Sequence, residues 1–265
     1  MRTILVASLL MLFPLVAHAQ TVKLYAAGSL KTALTEVAKN FEAENPNGPK
    51  IETAFGASGL LREKIEAGET AHVFASADTG HPKKLADQGR AAAPVQIFAR
   101  NQLCAIARQG LDVTSQTLLD VMADPKVRLG ISTPKADPSG DYALALFAKS
   151  DALKPGVKAV LEAKALQLTG GPNSPKPPQG RNTYGWVMAE GQADVFLTYC
   201  TNAVLAKTEV PALVIVAIPQ EINVAADYGL VVLKNAPPEA AAFASYIRSP
   251  PGQATLAKYG FGAGD

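Results

Sequence analysis

The sequence predicts an α/β fold in two lobes, with parallel-rich sheets flanked by helices. Three observations predict it. Short apolar runs alternate with segments of helical period, and small turns of Gly, Ala and Ser stand between them. The 265 residues, 48% apolar and 18% charged, also suffice for two separate cores. With 25 Lys+Arg against 23 Asp+Glu the formal net charge is +2, without the basic excess that nucleic-acid binding needs. That composition excludes a disordered, a collagen-like and a disulfide-dense chain.

Residues 1–19 read as a cleaved secretory signal. Arg2 supplies the positive start, Ile4 to Ala17 an apolar run, and Ala17-His18-Ala19 the small cleavage-site residues, leaving Gln20 first in the mature chain. The run is too short for a membrane span, which needs about 20 residues. An exported, soluble protein is expected.

In the mature chain, Val22 to Ala26 reads as a strand and Leu30 to Glu44 as a helix. Leu30, Leu34, Val37 and Phe41 share one apolar face of that helix. Asn45-Pro46-Asn47-Gly48-Pro49 ends it. Then follow a strand at Ile51 to Phe55, a helix at Ser58 to Ala67, a strand at Val73 to Ala75 and a helix at Pro82 to Gln88. After the apolar stretch Val95 to Ala107, helices are expected at Ser115 to Met122, Ser139 to Lys149 and Pro155 to Lys164. Strands are expected at Arg128 to Ser132 and Val195 to Thr198. Leu213 to Ala217 and Leu230 to Leu233 read as late strands and Pro238 to Ile247 as a late helix. Crossings near 95–102 and 200–212 divide this into lobe I, residues 20–97 plus 207–265, and lobe II, residues 98–206. Residues 170–180 hold four Pro and three Gly, so they form neither helix nor central strand. They are either a surface excursion or a loop at the rim of a ligand cleft.

Cys104 and Cys200 are the only cysteines. An oxidising compartment permits a disulfide between them, and two buried thiols fit the sequence equally well. Mature His72 and His81 have no metal spacing to the cysteines, so neither a free metal cation nor a cofactor is expected.

The chemistry lies in hydroxyl-bearing turns between strands and helices: Ala27-Gly28-Ser29, Gly56-Ala57-Ser58-Gly59, Pro138-Ser139-Gly140 and Arg181-Asn182-Thr183. Singly, each is an ordinary N-cap. Together, several helix N-termini with their free N–H groups and partial positive charge make an anion site. An enzyme is not expected. Ser132-Thr133-Pro134-Lys135 has S-x-x-K spacing, but its prolines oppose the helix it needs, and Gly56-Ala57-Ser58-Gly59-Leu60 breaks the nucleophile elbow at its last position. A serine hydrolase remains the less favoured alternative.

Leu24-Tyr25-Ala26-Ala27-Gly28-Ser29-Leu30, Phe55-Gly56-Ala57-Ser58-Gly59-Leu60-Leu61, Ile65-Glu66-Ala67-Gly68, Val73-Phe74-Ala75-Ser76-Ala77-Asp78 and Gly191-Gln192-Ala193-Asp194-Val195-Phe196-Leu197-Thr198-Tyr199 occur in that order. In these motifs the chain resembles the periplasmic molybdate-binding proteins of ABC importers. The resemblance implies a type II periplasmic binding protein fold whose two lobes close by hinges on a tetrahedral oxyanion. It also implies a monomer that delivers molybdate, and tungstate with it, to an inner-membrane permease. It assigns hydroxyl and N–H donors to Ser29 and Ser58, backbone N–H donors to Ser139 and Arg181, and a phenol donor to Tyr199. The chain departs from the family at His72, Gly59 and Ser139, and most at Arg181, which replaces an apolar residue beside the Pro-rich segment. If the guanidinium enters the cleft, the ligand is a phosphate-like anion or a small carboxylate; if it points out, the oxyanion reading stands.

Overall fold

The computed structural model describes residues 21–264; the expected signal segment, 1–19, lies outside them. The chain runs β1 (Thr21–Ala27), α1 (Lys31–Glu44), β2 (Lys50–Gly56), α2 (Ser58–Glu66), β3 (Val73–Ser76), α3 (Gly80–Asp87) and β4 (Gln96–Ala107). It continues through α4 (Leu118–Ala123), β5 (Leu129–Ser132), α5 (Pro138–Leu153), α6 (Val157–Lys164), β6 (Leu166–Thr169), α7 (Thr183–Ala189) and β7 (Val195–Tyr199). The last elements are α8 (Cys200–Glu209), β8 (Val214–Ala217), β9 (Ala225–Val232), α9 (Pro238–Arg248), α10 (Pro250–Lys258) and β10 (Gly262–Ala263). Among the described residues no helix is long and apolar enough to cross a membrane.

The strand order is β2-β1-β3-β9-β4-β7-β5-β6, with β8 and β10 also on β4. Strands β2, β1 and β3 are parallel to one another, as are β7, β5 and β6. Between these sets, β9 and β4 run antiparallel to their neighbours, so the sheet is parallel-rich rather than wholly parallel. β4 joins two halves: Gln96 to Gln102 pair with β9, and Leu103 to Ala107 pair with β7 and β8. At about 3.3 Å per residue, a strand this long reaches through both halves.

The changeover of partners thus falls between Gln102 and Leu103, inside one strand. Residues 200–209 fold as α8, and β8 pairs with Cys104 to Ala107, so 214–217 lie with the second half. The chain returns between β8 and β9.

The core follows the apolar spacing. Leu30, Leu34 and Val37 are wholly buried and Phe41 nearly so, with the Phe41 ring 5.2 Å from that of Phe243 on α9. In the second half Ile106, Val187, Phe196 and Ala203 bury one face of the sheet under α7 and α8. Side chains of this size contribute about 1.5–3 kcal/mol each on burial. Cys104 and Cys200 form a disulfide, with Cα atoms 4.8 Å apart, which settles the question the sequence left open. It ties β4 to the first residue of α8, directly after Tyr199.

Candidate anion-binding site

In parallel α/β sheets, ligands bind beyond the carboxyl ends of the strands, where the helices begin. Here Ser29 follows β1, Ser58 follows β2, Ala77 follows β3, Ser139 opens α5 after β5, and Tyr199 ends β7. The structure brings four of the five expected residues to this one region. The Ser58 hydroxyl is wholly buried and accepts from the Ala77 N–H at 3.1 Å. Tyr199, from the other half, donates to the Ala77 carbonyl at 3.3 Å. The Ser29 hydroxyl lies 3.0 Å from that of Tyr228, whose ring is 5.5 Å from that of Tyr199. The Tyr142 ring, on the first turn of α5, stands edge-on to Tyr199 at 6.2 Å.

Burial holds the Tyr199, Tyr228 and Tyr142 phenols above their ordinary range, so all three are neutral donors at physiological pH. Across the cleft, the Gly59 N–H, in the first turn of α2, donates to the Ala136 carbonyl at 2.8 Å. That bond satisfies one of the free donors of a helix N-terminus and sets α2 against the loop leading into α5.

Ser139 is also wholly buried, but its N–H is engaged. It donates at 3.0 Å to the carboxylate of Asp137, the N-cap of α5. The Ser139 hydroxyl itself has no hydrogen-bond partner. Arg181 is not in the cluster. It is exposed, its Nε donates to Glu209 on α8 at 2.5 Å, and its backbone N–H donates to the Pro178 carbonyl at 3.1 Å. The α7 N-terminus beyond it is capped by Asn182, whose side chain accepts from the Tyr184 and Gly185 N–H groups. Ser132 bonds Thr169 at 2.9 Å, and Lys135 lies in the loop with a φ of 68°, so the S-x-x-K spacing makes no helical pair.

Three participants escaped the sequence reading. Tyr228 arrives from β9, and Asn101 from β4 donates to both Tyr228 and Thr201, at 3.4 and 2.9 Å. Both are long-range partners that no local pattern marks. Asp137 was legible in principle, since Asp before Pro138 at a helix start is a cap signature.

The family model for bacterial extracellular solute-binding proteins matches residues 22–262. The chain belongs to that family. Its members are solute-binding components of transport, found outside the cytoplasm. An uncharacterized protein of Pasteurella multocida is 36% identical over 216 residues, 78% of this chain and 85% of its own length. The molybdate-binding protein ModA of Mycobacterium bovis is 28% identical over 245 residues, 92% of this chain and 85% of its own. In fold, the sulfate-binding protein SubI of Mycobacterium tuberculosis superposes with a TM-score of 0.75 at 19% identity, covering 91% of this chain and 86% of that one. This solute-binding protein thus has the two-lobed type II periplasmic binding protein fold, and its molybdate-binding resemblance extends to nearly the whole described chain.

Proposed function

We propose that this solute-binding protein captures a tetrahedral oxyanion, molybdate and tungstate with it, in the periplasm and delivers it to an ABC permease of the inner membrane. The observation that carries the reading is the meeting of Ser58 and Tyr199 at Ala77, with Ser29 bonded to Tyr228 beside Tyr199, which gathers neutral hydroxyls from both halves of the sheet. Neutral hydroxyls and N–H groups suit a dianion, because hydrogen bonds to a charged group are the strong ones. The Tyr199 hydroxyl and the Ser139 N–H already have protein acceptors, so an arriving anion exchanges those partners for itself, while the Ser139 hydroxyl has none to give up. The alternative, a phosphate-like anion or small carboxylate bound through Arg181, is disfavoured by that residue's pairing with Glu209. Molybdate, tungstate and sulfate share charge and shape, so cavity size separates them.

The test is calorimetric titration of residues 20–265 with molybdate, tungstate, sulfate, phosphate and small carboxylates. Binding of molybdate and tungstate with sulfate rejected supports the reading. The Ser29→Ala/Ser58→Ala variant is expected to bind at least about tenfold more weakly with its melting temperature kept, since a hydrogen bond to a charged group contributes about 1.5–3 kcal/mol. Unchanged affinity in that variant removes the site.

A further inference from the structure

The N–H that the oxyanion reading assigns to the ligand at Ser139 is held by another anion. Asp137 Oδ1 accepts it at 3.0 Å, and the Asp137 carbonyl accepts the Gly140 N–H at 2.9 Å. The donor assigned to the ligand at the α5 N-terminus therefore serves Asp137, and the next N–H closes the first turn on the same residue. Beside them lies the Ser139 hydroxyl, wholly buried and without a partner. The carboxyl is built in tightly. Gly170 turns over it with a φ of 75°, and a Cβ there would lie 2.5 Å from the Asp137 Cβ and closer still to Oδ2.

We infer that Asp137 is a specificity-determining group of this site, taking up one proton from solvent as a doubly charged oxyanion binds and yielding the Ser139 N–H to it. The inference rests on the oxyanion reading. The balance is simple: a dianion, the Asp137 carboxylate and one proton give a complex in which the carboxyl is neutral. A neutral carboxyl is a weaker acceptor, so the N–H passes to the anion, and the like-charge repulsion disappears.

The surroundings favour that protonation. Burial pushes the Asp137 carboxyl up to about 6, against hydrogen bonds from the Ser139 N–H and Ser132, while Asp141 on the same helix and Asp78 after β3 add like charge. Tyr184 from α7, Tyr199 from β7 and Tyr228 from β9 also face it, all phenols held neutral by burial. Lys135 and His81 act on Asp141 rather than on Asp137. The free carboxyl loses its proton above pH about 6, and bound anion raises that midpoint. Affinity for a dianion is therefore full below about pH 6 and falls up to about tenfold per pH unit above it, until the midpoint of the complex is passed. An oxyanion with its own O–H, such as hydrogen phosphate, can supply the shared proton itself.

The experiment measures molybdate and sulfate binding by calorimetry from pH 6.0 to 8.5, in two buffers of different ionisation heat. The wild type, Asp137→Asn and His81→Gln are compared. Asn keeps a good N-cap. The wild type and His81→Gln are expected to lose about tenfold or more in affinity across the range and to take up close to one proton per anion near pH 7.5. Asp137→Asn is expected to bind with a flat pH profile and no proton uptake. A flat wild-type profile, or a sloping Asp137→Asn profile, overturns the inference while leaving the oxyanion reading intact. A slope lost only in His81→Gln overturns it too. No binding of either anion at any pH overturns both.

Discussion

Asp194 shows how a single carboxylate is made structural at the end of the second lobe away from the site. It precedes β7, and its side chain, 8% exposed, accepts from Arg108 Nε at 2.8 Å and from Arg128 Nε and Nη2 at 3.0 and 2.9 Å. The Arg128 backbone N–H adds a fourth bond at 2.9 Å. The hydrogen bonds from the Arg128 side chain outweigh burial and hold this carboxyl well below the usual carboxylate range. A carboxyl depressed in the folded state stabilises the fold above its unfolded pKa, near 3.9, and loses that contribution as pH falls below it. Both guanidinium groups are about half exposed, so solvent screening reduces the gain. Asp194→Asn is expected to cost about 2 kcal/mol at pH 7 by urea unfolding, with the gap to wild type narrowing steadily as pH falls below about 4. An unchanged midpoint at pH 7 would refute this role. Arg181 shows the converse, a charged residue that stands out in sequence and is neutralised by Glu209 once helices α7 and α8 meet.

At the scale of elements, the disulfide joins a hinge strand to the turn that presents Tyr199. Cys104 sits on the part of β4 that pairs with β7 and β8, and Cys200 begins α8, 96 positions later in sequence. Closing so long a loop removes much freedom from the unfolded chain. The Cys104→Ala/Cys200→Ala variant is expected to unfold about 3–5 kcal/mol more readily in urea than the wild type. A reductant should lower the wild-type midpoint and leave the variant's unchanged. Equal midpoints for the two proteins would refute the disulfide's contribution. The same region shows where the sequence stopped being legible. The Leu30, Leu34, Val37 and Phe41 face and the turns at Ser29, Ser58 and Ser139 could be read because period and turn chemistry are local. Helix α8 could not: it starts directly on the last residue of β7, with Tyr199 as its cap and no turn residue between. Helix α10 begins on Pro250-Pro251, which reads as a break although Pro suits a first helical turn. The side on which β8 pairs, and the arrival of Tyr228 and Asn101 at the site, are decided by long-range strand pairing that leaves no local pattern.

The two halves of the sheet are joined by the long strand β4 and the return between β8 and β9, and the contact of α2 with the loop before α5 is sensitive at Gly59. The Gly59 N–H donates to the Ala136 carbonyl in the loop between β5 and α5, and a Cβ at Gly59 would lie 2.7 Å from that oxygen and closer to that of Lys135. Both obstacles are backbone atoms, so no side chain can swing aside. The relief open to the chain is rotation of one lobe away from the other, which would also separate Tyr199 from Ala77. A ligand favours the closed arrangement only by its better contacts there, so a variant that cannot close forfeits them. Gly59→Ala is therefore expected to bind oxyanion at least about tenfold more weakly, with its melting temperature close to wild type because the clash lies between lobes and not within a core. Small-angle scattering in saturating molybdate should give a larger radius of gyration for the variant than for the wild type. Wild-type affinity and an equal radius of gyration would show that the α2 N-terminus does not gate closure. A large loss of melting temperature would place the clash inside a lobe.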